Sequence, residues 1–149
     1  MPTCSVVVID ANLAMQAVAP ARQDPAIDLF SGWTRGKVRV VAPDLWASEV
    51  LTALRKLVFG GALSSERALR VLDDLFALGV EIIPTSIELC RAALPWAQRL
   101  GQAKCYDALY LALAEQVGAE FWTADRRLAN RARQTGATWV HCLGEEGPR

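Results

Sequence analysis

Five short apolar runs, 5–9, 38–41, 80–83, Glu120–Thr123 and 138–142, punctuate the chain, and every interval between them reads as helix. Most are continuous Val/Ile runs rather than alternating ones, the pattern of strands covered on both faces. Helices are expected over 11–18 and 25–35, then over Leu45–Phe59, where Trp46, Val50, Ala53, Leu54 and Leu57 recur at a helical period. Gly60 and Gly61 break that segment. Ser64 or Ser65 caps the next helix, whose apolar side is Leu69, Leu72, Leu75 and Phe76 and which Gly79 ends. Further helices are expected at Ile87–Leu100, Tyr106–Val117 and 126–135. Strands alternating with helices specify an α/β fold on a parallel sheet, in which sites gather at strand carboxyl ends near a switch in strand order.

With 149 residues, 52% of them hydrophobic, and no repeat or low-complexity linker, the chain reads as a single domain, 1–149, with a polar tail at 144–149. Basic and acidic residues balance at 16 each, which does not argue against a nucleic-acid partner, because an acidic site can mask a basic rim. No apolar run is long enough to span a bilayer. The start of the chain has no basic region, and VVVID is short and closes on an acid, so a cytoplasmic protein without membrane association is expected. Cys4, Cys90, Cys105 and Cys142 have no C-x-x-C spacing, and His141 is the only histidine. That set completes no recognised zinc spacing and gives a serine or cysteine triad little to work with. Small buried thiols in a reducing compartment are the better reading.

Four carboxylates carry the chemistry. Asp10 and Asp125 stand where apolar strands run out, in VVVIDAN and EFWTAD. Glu49 and Asp107 lie inside apolar helical stretches, in LWASEVLTAL and CYDALYLALAE. Three have a plain structural reading: Asp10 and Asp125 suit helix caps, and Glu49 can pair with Lys56 on a solvated face. Asp107 resists that reading. Its helix is apolar nearly all round, and the helix dipole offers an acid in its first turn only about 0.3–1 kcal/mol, small beside the cost of burying an unpaired carboxylate. If the fold brings these acids together, their repulsion demands a cation, and hard divalent ions prefer oxygen ligands.

The joint pattern of VVVIDAN, APDLWASEVLTAL, YDALYLALAE and FWTADRRL resembles the PIN-domain nucleases, and within them the VapC-type toxins of bacterial toxin–antitoxin pairs. The resemblance covers nearly the whole chain, and YDALYLALAE followed by T-A-D is its most specific part. It implies a PIN-like α/β fold whose central parallel sheet of about five strands, in the order 3-2-1-4-5, is flanked by helices. That order sets Asp10 beside Asp125, with the helices of Glu49 and Asp107 leaning over the same edge. By the same resemblance Asp10, Asp107 and Asp125 are metal ligands, and Glu49 binds metal or orients the attacking water. Asn12 and Thr123 match positions that fix carboxylate rotamers. The implied activity is hydrolysis of RNA phosphodiesters with Mg²⁺ or Mn²⁺, leaving 5′-phosphate and 3′-hydroxyl ends. The implied partners are a cognate antitoxin and a second copy of the chain in a homodimer. Asn12 stands where Ser or Thr is frequent, and Thr52 where Asn often follows the helical Glu; altered tuning rather than lost activity is expected.

Arg126 and Arg127, next to Asp125, are candidates to grip RNA phosphates; Arg131, Arg133, Arg55 and Lys56 are weaker ones, since helical arginines are ordinarily solvated surface. Trp46 and Trp96 fall on helices that, by resemblance, line a partner groove, and they suit either anchors or core; Trp122 and Trp139 read as core. Two other classes fit less well. Aspartyl-phosphate phosphatases need a second Asp where Asn12 stands, and a receiver domain needs an Asp at the end of its third strand, where this chain has IIPTS. The remaining alternative is a catalytically inactive PIN-like module that binds a partner protein.

Overall fold

The computed structural model describes residues 5–145. Cys4 and the last part of the expected tail, 146–149, lie outside them. The chain runs β1 (Val6–Ile9), α1 (Ala11–Met15), α2 (Asp24–Arg35), β2 (Arg39–Pro43), α3 (Leu45–Phe59), α4 (Ser65–Phe76), β3 (Glu81–Ile83), α5 (Ile87–Leu100), α6 (Tyr106–Val117), β4 (Glu120–Thr123), α7 (Arg126–Gln134) and β5 (Val140–Cys142). All strand pairs are parallel, and the sheet order is β3-β2-β1-β4-β5. The expected order and the alternation of strand and helix both hold.

β1 is the axis of the sheet, paired with β2 through Val8 and Val41 and with β4 through Ile9 and Trp122. Val7, Val8 and Ile9 are all buried. Successive strand residues point to opposite faces, so three buried in a row mean that both faces are covered. α6 packs on β1, β2, β4 and α5, and its Leu111 and Leu113 are almost fully enclosed. Truncating either to Ala would cost about 2–5 kcal/mol. β3 is the thin edge. Its exposed Glu81 pairs with Arg39 of β2 at 2.7 Å, and charges of this kind discourage edge-to-edge pairing.

The local signals explain most boundaries. Ser64 accepts the Arg67 N–H at 3.2 Å and Ser86 the Leu89 N–H at 3.0 Å, starting α4 and α5. Gly101 and Gly118, with φ of 67° and 66°, end α5 and α6 in the left-handed region that other residues enter at a cost. One helix falls short of expectation. α1 stops at Met15 rather than 18, because Ala17 and Val18 bond back three residues, to Ala14 and Met15, and the chain turns away. Part of the polar tail is held: Glu145 pairs with Arg133 at 2.6 Å.

Candidate active site

The strand order reverses direction at β1 and β4, whose carboxyl ends lie side by side. Asp10 follows β1 directly and caps α1, its Oδ1 accepting the Leu13 N–H at 2.9 Å. The Thr123 hydroxyl, at the last position of β4, donates to Asp10 Oδ2 and accepts the Asp125 N–H at 2.9 Å. Asp125 in turn caps α7 by accepting the Leu128 N–H at 3.1 Å. One buried hydroxyl thus joins the two strand-end acids. Asp10 is 8% exposed and Thr123 is fully buried, whereas Asp125 opens to solvent.

The other two acids come from helices. Glu49, half-buried on α3, accepts the Tyr110 hydroxyl on Oε1 at 2.5 Å. Asp107, in the first turn of α6, accepts the Gln102 amide at 2.9 Å and is partly exposed. Glu49 therefore pairs across the fold with Tyr110 rather than along its helix with Lys56. Tyr110 and Gln102 were not among the residues singled out from sequence. The spacing of Tyr110, one turn after Asp107 on the same helix face, was the available signal.

Three of these acids influence one another through charge. Burial pushes the Asp10 carboxyl up from 3.8 to about 6 against bonds from Thr123, Leu13 and Ala124, and the charge of Glu49 adds to the rise. Glu49 is raised by burial, with the charge of Asp107 adding to it and the Tyr110 bond opposing it. The Tyr110 phenol is raised well above its ordinary value by burial and by Glu49, and it also feels Asp10 and Asp107. Of the acids, Glu49 alone bonds that hydroxyl, while Asp10 and Asp107 act on it only through their charge. Among the described residues, no Lys, Arg or His forms an ion pair with any of the four acids.

Such a set fits a hard divalent cation in its chemistry: all donors are oxygen, and the acids repel one another without a counter-charge. They converge without closing, since among the described residues no three His, Cys, Asp or Glu side chains are gathered tightly enough to hold an ion as they stand. His141 is committed elsewhere, 2.6 Å from Glu120 and stacked on Trp122.

Three expectations change. Asn12 lies in α1 with its side chain in solvent, between the buried Ala11 and Leu13, and makes no hydrogen bond to an acid among the described residues; Thr123 alone holds a carboxylate in the expected way. Trp46 and Trp96, candidate partner anchors, are 0% and 2% exposed and belong to the core. A side chain with no free surface has nothing to offer a partner; Trp46 packs edge-on against Phe76, and Trp96 against Trp139. Of the arginines, Arg131 bonds the Leu100 carbonyl and Arg133 the Val140 carbonyl and Glu145, while Arg126 and Arg127 are exposed at the start of α7.

Fold and site together define an α/β protein with an acidic, oxygen-donor centre at the switch point of a parallel sheet. Residues 7–134 match the PIN domain, and the chain belongs to that family. It is 34% identical over 89 residues to Ribonuclease VapC3 of Pyrobaculum aerophilum, a match covering 59% of this chain and 67% of that one. Its fold is similar to VapBC2 from Rickettsia felis, solved bound to a promoter DNA fragment (TM-score 0.68, 13% identity, 93% of this chain and 98% of that one). It is also similar to Mycobacterium tuberculosis VapC20, described as a sarcin–ricin loop cleaving toxin (TM-score 0.57, 17% identity, 83% and 93% covered). No helix among the described residues is long and apolar enough to cross a membrane.

Proposed function

We propose that the chain is a ribonuclease that hydrolyses RNA phosphodiester bonds with a divalent cation, Mg²⁺ or Mn²⁺, and acts as the toxin of a toxin–antitoxin pair. The observation that carries the reading is the pair of strand-end acids Asp10 and Asp125, joined through the buried Thr123 hydroxyl at the sheet's switch point, with no basic ion-pair partner for any of the four acids among the described residues. Membership of the PIN family and the likeness to a VapC ribonuclease support it.

Asp10, Glu49, Asp107 and Asp125 would hold the cation, which when bound supplies a water of lowered pKa and positive charge against the developing phosphorane oxygens. The chain's own residues set the stage. Asp10 must shed the proton that burial favours before it can ligate, and the Thr123 hydroxyl keeps its carboxylate in one rotamer. No histidine or lysine base is needed, in keeping with a His141 tied to Glu120. Arg126 and Arg127, exposed beyond the β4 end, would meet flanking phosphates, which fix the register of the substrate without reading its sequence. The antitoxin and the second copy of a homodimer need surface other than Trp46 and Trp96. Leu51 and Phe59, 58% and 81% exposed on α3 beside Arg55 and Lys56, offer it.

The test is cleavage of a broad RNA set by purified, partner-free protein with Mg²⁺, Mn²⁺ or EDTA, beside Asp107→Asn. Cleavage that needs the ion and is lost in the folded variant is the expected result. Equal cleavage by both proteins would displace Asp107 from the site, and none by either would leave the inactive interaction module.

A further inference from the structure

We propose that Tyr110 is a positioning residue for Glu49, its hydroxyl holding one carboxylate oxygen so that the other is presented to the cation; this rests on the metal-dependent reading above. The geometry argues it in three steps. The hydroxyl donates to Glu49 Oε1 at 2.5 Å, across 61 positions of chain and between two different helices. Among the described residues, Oε2 has no protein donor. A Glu has three side-chain torsions, so an untethered one on a helix shoulder sweeps a wide arc, and a single fixed donor removes most of it.

The tyrosine is itself held firmly. It is 2% exposed, and its ring stacks on Phe121 of β4, with centroids 5.7 Å apart and planes at 26°. Phe121 is fully buried beside β1 in the sheet. Glu49 is thereby referenced to the same strand that carries Thr123, which references Asp10. The second anchoring point is built into the helix. Tyr110 follows Asp107 by one turn, so α6 delivers a ligand candidate and the brace for another from one face. Partners of this kind, which orient a ligand without touching the ion, typically alter metal affinity 10–100-fold when removed.

The test is Mn²⁺ binding to the full-length, partner-free chain by calorimetry, for wild type, Tyr110→Phe, Glu49→Gln and the double variant. Tyr110→Phe keeps the ring and its stack, and a thermal melt checks that the fold survives. It should weaken Mn²⁺ binding about 10–100-fold and lower kcat for RNA cleavage more than it raises KM. In the Glu49→Gln background the same change should add nothing, because the route through Glu49 is already cut. Glu49→Asp, which keeps the charge but withdraws the carboxylate from the hydroxyl, is the second variant: it should lose affinity comparably, with Tyr110→Phe again adding nothing. Unchanged Mn²⁺ affinity in Tyr110→Phe, or an equal further loss on top of Glu49→Gln, overturns the positioning role while leaving the nuclease reading intact. A wild type that binds no Mn²⁺ and cleaves nothing overturns both.

Discussion

The carboxyl ends of β1 and β2 carry the same device with opposite electrostatics. After each strand an Asp N–H donates to the neighbouring strand's carbonyl, Asp10 to Trp122 at 3.3 Å and Asp44 to Ile83 at 3.1 Å. Each Asp then accepts a threonine hydroxyl from that neighbour's end, Thr123 for Asp10 and Thr85 for Asp44. Asp44 is exposed, and its two bonds from Thr85 hold its carboxyl below the usual range. Asp10 is buried with Glu49 nearby, and its carboxyl rises to about 6 despite equivalent bonds. Hydrogen bonding does not separate the two. Desolvation does, with a smaller addition from the charge of Glu49.

Asp10→Asn should break the contrast most. It should cut cleavage about 10²–10³-fold, the scale of losing a group that stabilises transition-state charge. Between the unfolded value near 3.8 and the folded value near 6 the native carboxyl holds a proton that the unfolded one has shed. Wild-type, metal-free stability should therefore fall as pH rises through that window, by about 3 kcal/mol in all for a shift near two units. The Asn variant should lose that part of the fall, keeping only the part from Glu49, and so melt higher than wild type at pH 7. Melting temperatures from pH 4 to 7 in EDTA decide this; parallel curves for the two proteins would remove Asp10 from the account.

Thr123→Val sharpens the comparison without touching a carboxylate. It deletes the donor to Asp10 and the acceptor of the Asp125 N–H from a fully buried position. Stability should drop by about 1–3 kcal/mol and activity about 10–100-fold, read from denaturant melts and initial rates. The smallest effect belongs to the other end of the sheet. Asp44→Asn should cost under about 1 kcal/mol, because the group is exposed, and leave cleavage within about twofold of wild type. Its pH contribution runs the other way: Asp44 stabilises above its unfolded value, and that is lost as pH falls through its lowered folded value. A large loss of cleavage in Asp44→Asn would extend the site to the β2 end.

Local pattern reached the elements and the α/β class, while the strand order that sets Asp10 beside Asp125 came from the family resemblance. Continuous Val/Ile runs gave the strands, caps and glycines the helix ends, and Asp10 and Asp125 follow once β1 and β4 are neighbours. The helical half was only partly legible. Glu49 and Asp107 stand out as acids in apolar surroundings, but their partners Tyr110 and Gln102 do not. Tyr110 is hidden inside a helix that is apolar nearly all round, and its bond to Glu49 spans 61 positions, beyond any local periodicity. Trp46 and Trp96 were ambiguous for the converse reason. A large aromatic on an amphipathic helix has the same spacing whether it fills a core or meets a partner, and only packing separates the two.

The bond from Thr123 to Asp10 joins residues 113 positions apart. During synthesis β1, with Asp10, emerges before α6 and β4, and its end lacks the Thr123 bond until β4 has also left the ribosome. A truncated or half-made chain thus carries Asp10 and Glu49 with neither Asp107 nor Thr123 to join them. An enzyme that degrades RNA would in this way stay unarmed beside the very message being read, through contact order alone.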